Sequence, residues 1–339
     1  LSAVVVGACS SSQPPSDAAA ATGAPTTPEA ETPKPASPQA ETSQPDPQAT
    51  QTPQPDTQAA ETPRSDGPQD DAAGLAALQA FVQVDPGDDG PFYMVNLIEY
   101  RDLASYADGR ATDLTGEEAD AIYGTWMSTE RLPATGAEIV YVAEVETDLI
   151  GDTSFDRVAV VRYPSRADFW TMVTDPEFQA MLEHKDAGVA NTTVLATSRL
   201  SLPSLPDPAQ VPYPATDDDP PFAFMHVLDY RDTADYQPGD QDADNTRSGA
   251  DAVDLYSRNA GTVAGPLGVR PWAWFDVEAV ISGDHDWDEV RINGFPSHAT
   301  FAALTSDPTW QAGRHHRTAG LEATYAIQTL PVLNSLGDQ

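Results

Sequence analysis

The sequence predicts an α+β fold made of two copies of one βαββαβ unit within a single chain of 339 residues. The main observation is an internal repeat: the stretch at 155–189 returns at 287–321, in register and 132 positions later. A Pro-Ser pair follows the same predicted strand in both copies, at 164–165 and 296–297. Tyr-Arg-Asp also follows the first predicted strand of each copy. Such a duplication favours two equivalent structural halves.

The first copy contains the elements in the order βαββαβ. Residues 91–100 have the β-branched and aromatic composition of a strand. Thr115 and Glu118 fit a capping box that begins a helix, and Pro176 suits the first position of another. The other elements predicted for this copy are strands at 138–146, 155–163 and 191–199 and a short helix capped by Ser165. A further amphipathic helix at 73–82 precedes the copy.

The second copy repeats this order after a linker rich in proline and aspartate at 201–220. Its predicted strands lie at 222–230, 272–278, 287–295 and 324–330, and Ser248 and Ser297 are the predicted helix caps. The sequence therefore predicts domain boundaries at 73–200 for the first repeat and at 201–339 for the linker and second repeat.

The residues before the repeats predict a membrane tether. Residues 10–72 are rich in Pro, Ala, Thr, Gln and acidic residues and have almost nothing to bury, so we expect a disordered linker. The preceding residues, 1–9, are predicted to be the remnant of a signal peptide, and they end in Val-Gly-Ala-Cys, which resembles the lipobox of bacterial lipoproteins. That resemblance implies lipid acylation of Cys9, anchoring to a membrane, and a folded part that is periplasmic or extracellular.

Composition restricts the classes of partner. The formal net charge of −36 opposes binding of the folded surface to nucleic acid or to anionic headgroups. The single cysteine rules out an intrachain disulfide and a cysteine-based metal site. Residues 284–286, Asp-His-Asp, lie in a predicted turn without a second ligand cluster, so the sequence predicts no metal site.

A βαββαβ unit is the ferredoxin-like motif, an antiparallel sheet covered by helices on one face. Its motifs after strands one and three, and Asp-Pro-Glu-Phe-Gln-Ala at 175–180, resemble the DUF1330 family of dimeric α/β-barrel proteins. The similarity covers about 91–199 and 221–330. The resemblance implies two ferredoxin-like repeats packed sheet to sheet as an intramolecular pseudo-dimeric barrel, in a monomeric chain. It implies no established activity.

Two duplicated positions are candidate ligand-binding sites. Asn96 and His226 are polar residues in the middle of strand one, and His184 and His316 lie late in the second helix of each copy. The pattern is similar to that of related monooxygenase and haem-degrading barrels, in which a strand-one Asn and a helix-two His border a pocket. The alternatives are a core hydrogen bond for the strand residues and a helix C-terminal capping role for the histidines.

Trp272 and Trp274 are predicted to share one face of strand two, and they make the second copy richer in large rings than the first, which has Val140 and Val142 there. They are either core filling or the wall of an apolar ligand pocket. From these observations we expect an envelope lipoprotein whose folded part is a non-enzymatic module that binds a small, partly apolar ligand or a protein partner. The alternative is a small monooxygenase-like or haem-handling enzyme. The sequence assigns no catalytic residue and no cofactor.

Overall fold

The computed structural model describes residues 68–205, 207–242 and 245–336, with side chains from Gly74 onward. Cys9, the predicted lipobox and nearly all of the predicted tether lie outside the described residues. Helix α1 begins at Pro68, five residues before the predicted helix at 73–82. Proline is well tolerated in the first turn of a helix, which is consistent with this earlier start.

The elements follow the predicted order in both repeats. The first repeat consists of α1 (Pro68–Phe81), β1 (Phe92–Tyr100), α2 (Gly116–Trp126), a π-helical turn (Met127–Arg131), α3 (Leu132–Thr135), β2 (Glu138–Ile150), β3 (Arg157–Tyr163), α4 (Arg166–Val173), α5 (Pro176–Gly188) and β4 (Val189–Arg199). The second consists of β5 (Phe222–Tyr230), α6 (Gly249–Ala264), β6 (Arg270–Ser282), β7 (Glu289–Phe295), α7 (His298–Ser306), α8 (Pro308–Gly320) and β8 (Leu321–Asn334).

The local signals in the sequence place the helix starts correctly. Thr115 accepts a hydrogen bond from the Glu118 amide, and the Glu118 carboxylate accepts one from the Thr115 amide at 2.8 Å. Ser165, Ser248 and Ser297 each cap a helix in the predicted way. These caps satisfy amide groups that have no partner within the helix.

The eight strands form one closed antiparallel barrel in the order β1-β3-β2-β8-β5-β7-β6-β4. The first four-stranded sheet joins the second through two seams, in which β2 pairs with β8 and β4 pairs with β6. The predicted fold class is therefore confirmed. Strands β2, β6 and β8 run several residues beyond their predicted ends, because their added lengths are hydrogen-bonded mainly across these seams.

The barrel interior is a packed core to which both repeats contribute. Large side chains that are almost fully inaccessible fill it, including Tyr93, Tyr141, Phe275 and Trp287. Tyr141 and Thr329 bridge the two repeats with a 2.8 Å hydrogen bond between their hydroxyls. The helices cover the outer faces of the barrel, where separate apolar clusters pack in each repeat. No helix among the described residues is both long and apolar enough to cross a bilayer.

Candidate ligand-binding site

Asn96 lies outside the barrel interior, beneath the helices of the first repeat. It shares a sheet face with Phe92 and Met94, as the strand alternation predicts, and it is fully buried. Its Nδ2 donates hydrogen bonds to the carbonyls of Met94 and Ala159 at 3.1 and 3.3 Å. Asn96 Oδ1 is buried and has no hydrogen-bond partner among the described residues.

His184 and His316 make the same contact in the two repeats, and that contact is with a loop tyrosine. His184 Nδ1 lies 2.8 Å from the Tyr106 hydroxyl, and His316 Nδ1 lies 2.7 Å from the Tyr236 hydroxyl. In each pair the rings are perpendicular, with centroids 5.6 Å apart. No hydrogen bond among the described residues joins His184 to Asn96.

The residues that follow these histidines lie over the strand-one positions. Lys185, which follows His184, is 1% exposed at the junction of helices and sheet. Arg317, its equivalent in the second repeat, lies close enough to His226 for its charge to lower the pKa of that imidazole. A helix rotates about 100° per residue, so adjacent residues on α5 and α8 point to different surroundings.

Trp272 and Trp274 do not share a face. A register irregularity between Pro271 and Ala273 interrupts the alternation of β6. As a result, Trp272 packs against the core of the barrel interior and over Gly294. The indole nitrogen of Trp274 donates to Asn293 Oδ1 at 3.1 Å on the helix side of the sheet.

In the first repeat, the space between helices and sheet is sealed. Asp120, Tyr123 and Lys185 are each at most 1% exposed and lie with Asn96 in this layer. Burial lowers the pKa of Lys185 to about 8, against the opposing effect of the Asp120 charge. Burial also raises the pKa of Asp120, although the charge of Lys185 counteracts it. Tyr100 donates a 3.1 Å hydrogen bond to the same carboxylate.

In the second repeat, the side chains of the equivalent layer are less completely buried, and we call this cluster the β5 crevice. It is formed by His226, Arg291, Arg317, Tyr256 and Trp274, and all but Arg291 are partly exposed. The imidazole of His226 makes no hydrogen bond with a described residue, and the ring centroid lies 4.6 Å from that of Phe224. His226 stands where the first repeat has Asn96, and a half-buried Tyr256 stands where it has Tyr123. These side chains are thus more exposed to solvent than their counterparts in the first repeat.

Arg291 forms a fixed wall of the β5 crevice. It pairs with His226 across β5 and β7, so the two side chains share one sheet face. Its guanidinium donates to Glu289, at 2.5 Å from Nε, to Ser257 at 2.6 Å and to the Tyr230 hydroxyl at 3.2 Å. The guanidinium carbon also lies 4.3 Å from the ring centre of Trp274. This arrangement leaves Arg291 little freedom.

Arg317 is the less constrained cation of the β5 crevice. Its guanidinium donates a long hydrogen bond to the Thr324 hydroxyl, at 3.4 Å, and no carboxylate of the described residues lies within 4.0 Å of it. Burial lowers the pKa of Arg317, partly offset by the proximity of Tyr256. Burial likewise lowers the pKa of His226 well below its ordinary value, and the charges of Arg317 and Arg291 add to the effect. The crevice thus combines a neutral imidazole with two cations.

The sequence contained signals for these residues. A basic residue follows the helix-two histidine in both copies, at 185 and 317. Arg291 stands where the first repeat has Ala159, directly opposite the strand-one candidate. Knowledge that β5 pairs with β7 would have placed Arg291 beside His226. The sequence of one strand, however, does not show which strand it pairs with.

No family model matches the chain, and no curated protein matches it. Among solved structures, a protein of unknown function from Rhodopseudomonas palustris is 31% identical, with 38% of this chain and 92% of that chain covered and a TM-score of 0.32. Its methylated form gives 34% identity, 38% and 90% coverage and a TM-score of 0.33.

More distant structures cover both repeats. An anthrone oxidase-like protein is 13% identical, with 72% of this chain and 92% of that chain covered and a TM-score of 0.43. A chlorite dismutase mutant from Candidatus Nitrospira defluvii is 11% identical, with 75% and 95% coverage and a TM-score of 0.39. We assign the chain to the dimeric α/β-barrel class on its own strand order, which closes two ferredoxin-like halves into one barrel.

Proposed function

We propose that the second repeat is a binding module for a small aromatic carboxylate, held in the β5 crevice. The observation that carries this proposal is Arg317, a half-buried guanidinium without a carboxylate partner among the described residues of a strongly acidic chain. A carboxylate would receive charge-assisted hydrogen bonds from it, which are stronger than those between neutral groups. Trp274, Tyr256 and Phe224 supply aromatic surface for the rest of the ligand.

The first repeat supports this assignment by contrast. There, the basic residue at the same position, Lys185, is fully buried with Asp120, and no open space adjoins it. The second repeat has Val253 in place of Asp120, so the carboxylate that accompanies the first basic residue has no counterpart. An anionic ligand would therefore take the role that Asp120 has in the first repeat.

A fluorescence titration of the protein with 1-naphthoate tests the proposal. We expect saturable binding, and we expect Arg317→Met to raise the Kd by about 10-fold or more, because a hydrogen bond to a charged group contributes about 1.5–3 kcal/mol. Arg258→Met is the matched control, since it removes the same charge from an exposed site on α6. The neutral analogue 1-naphthylmethanol should bind more weakly than the acid.

Two results would contradict the proposal. One is equal affinity for the acid and the neutral alcohol, which would show that the crevice does not recognise charge. The other is an equal loss of affinity in Arg258→Met and Arg317→Met, which would show that only the overall charge of the protein matters.

The runner-up is a small enzyme of the same barrel class, with His226 as a general base. Burial and two neighbouring arginines lower its pKa, so the imidazole is neutral near pH 7 and able to accept a proton. The arrangement does not fit haem within the barrel, because His184 and His316 contact loop tyrosines and large side chains fill the interior. Mass spectrometry of naphthoate recovered after incubation would distinguish the two, since an enzyme that accepts it yields a product.

We further propose that Cys9 carries a lipid anchor and that the chain is a monomeric envelope lipoprotein of the DUF1330 type. The support is the lipobox-like sequence before Cys9, the linker composition that follows it, and the motif at 175–180. Metabolic labelling with an alkyne fatty acid would detect acylation, and Cys9→Ser should abolish the label. A label retained in Cys9→Ser would contradict the assignment.

A further inference from the structure

The loop after β5 and the end of α8 bring three potential metal ligands together. One ligand atom each from Asp242, His315 and His316 lies within 4.8 Å of the others, and all three residues are partly buried. The distance between His316 Nε2 and Asp242 Oδ2 is 3.8 Å. Two metal–ligand bonds of about 2.1 Å each can span that distance.

His315 has a buried ring nitrogen with a free lone pair. Its Nδ1 lies 2.8 Å from the carbonyl of Ala312, and a carbonyl only accepts, so Nδ1 carries the hydrogen. In the neutral ring, Nε2 is then the unprotonated nitrogen. That atom is buried and has no hydrogen-bond partner among the described residues. A buried acceptor without a partner is costly unless something binds to it.

The other two residues are oriented by their neighbours. The Tyr236 hydroxyl lies 2.7 Å from His316 Nδ1, which fixes that ring and leaves Nε2 toward Asp242. Asn245 donates to Asp242 Oδ1 at 2.8 Å and leaves Oδ2 toward the histidines. Such outer contacts are typical of metal-binding histidines and carboxylates. Asp242 is also the one described non-glycine residue with a positive φ, 68°, a conformation that costs energy.

The first repeat has the same tyrosine-histidine pair but fills the place of an ion with a side chain. Arg110 lies 3.6 Å from the centre of the Tyr106 ring and donates to Glu183, the counterpart of His315, at 3.0 Å. In the second repeat, a histidine replaces that glutamate and the loop contributes Asp242. Arg247 is the nearby cation, at 5.6 Å from the Tyr236 ring, and Asp240 is the nearby additional acid.

We propose that Asp242, His315 and His316 form a binding site for a divalent transition metal ion, with zinc as the expected occupant. Two imidazoles and one carboxylate are a donor set that zinc accepts, with a fourth position left for water or another ligand. This site uses none of the residues of the β5 crevice, so its test is independent of naphthoate binding.

The test is a competition titration of the full, untagged chain with Zn²⁺ against a chromogenic chelator, with native mass spectrometry for the stoichiometry. We expect one Zn²⁺ per chain, and His315→Gln or Asp242→Asn should weaken binding by about 10-fold or more. His184→Gln is the matched control, because it removes the equivalent histidine of the first repeat. Cys9→Ser shows any contribution of the thiol.

The site would be established if His315→Gln and Asp242→Asn lose the single zinc ion while His184→Gln and Cys9→Ser retain it. Absence of a stoichiometric zinc ion in the wild-type chain would overturn it. An equal loss in His184→Gln would also overturn it, since it would show that zinc binding does not depend on this cluster.

Discussion

Gly188→Ala is expected to destabilise the protein by about 3 kcal/mol or more, because it forces two backbone segments apart. A Cβ atom on Gly188 would lie 2.2 Å from the carbonyl oxygen of Gly116, at the crossing of α5 and α2. The same crossing is fixed by a hydrogen bond from the Arg101 amide to the Gly188 carbonyl, at 2.8 Å. A backbone carbonyl cannot rotate away as a flexible side chain would.

The second repeat contains the same contact, between Gly249 and Gly320. Gly320→Ala places Cβ 2.5 Å from the Gly249 carbonyl oxygen, so we expect a loss of similar size. Urea unfolding measures both free energies. Gly87→Ala is the control, because its Cβ would meet no atom within 4 Å. If Gly188→Ala and Gly320→Ala each lower the free energy of unfolding by less than about 1 kcal/mol, the helices can separate at little cost and the prediction is wrong.

Lys185→Met is expected to destabilise the protein by about 3 kcal/mol, because it leaves a buried carboxylate without its compensating cation. Asp120 and Lys185 are both essentially inaccessible to solvent. Among nearby charges, Lys185 has the largest effect on the pKa of Asp120, and it lowers that pKa against the effect of burial. At neutral pH, Lys185 with a pKa of about 8 is still largely protonated.

The double variant Asp120→Val/Lys185→Met should be less destabilised than Lys185→Met alone. It removes both charges, and its valine copies Val253 of the second repeat. Replacement of a buried charge pair by apolar groups is often neutral or stabilising, whereas removal of one partner is not. Urea unfolding of the two single variants and the double variant forms the thermodynamic cycle. If the double variant loses as much free energy of unfolding as the two single variants added together, the two charges do not interact.

The parts of the fold that depend on local chemistry could be predicted from the sequence. Thr115, Ser165, Ser248 and Ser297 begin helices because a side chain and a nearby amide decide a cap. The strand ends could not be predicted as well. Strands β6 and β8 continue to Ser282 and Asn334 because of pairing with strands more than 80 residues away. Such pairing leaves no trace in the composition of either strand.

The candidate site was predicted only in part, for similar reasons. Alternation predicts that His226 shares a sheet face with Phe222 and Phe224, and the structure shows that this face is the one covered by helices. The shared face of Trp272 and Trp274 was wrong, because a bulge in β6 reverses the alternation between them. The basic residues at 185 and 317 lie over the sheet, instead of the histidines before them, since the rotation of the helix cannot be fixed to one residue from a short amphipathic pattern.

The most direct measurement of the central claim is an NMR pH titration of the imidazole of His226, with and without 1-naphthoate. His226→Asn identifies its resonance, and asparagine is the residue that the first repeat has there. In the free protein, we expect a pKa well below the ordinary value, because burial and the charges of Arg317 and Arg291 disfavour the protonated ring.

Bound carboxylate would offset those charges and raise the pKa of His226. By linkage, naphthoate would then bind more tightly as the pH falls through the range between the two pKa values. The surface residue His298, whose pKa is raised by Glu146 and Asp219 against the effect of burial, should not respond to the ligand. A His226 resonance and pKa that stay unchanged at saturating naphthoate would contradict anion binding in the β5 crevice.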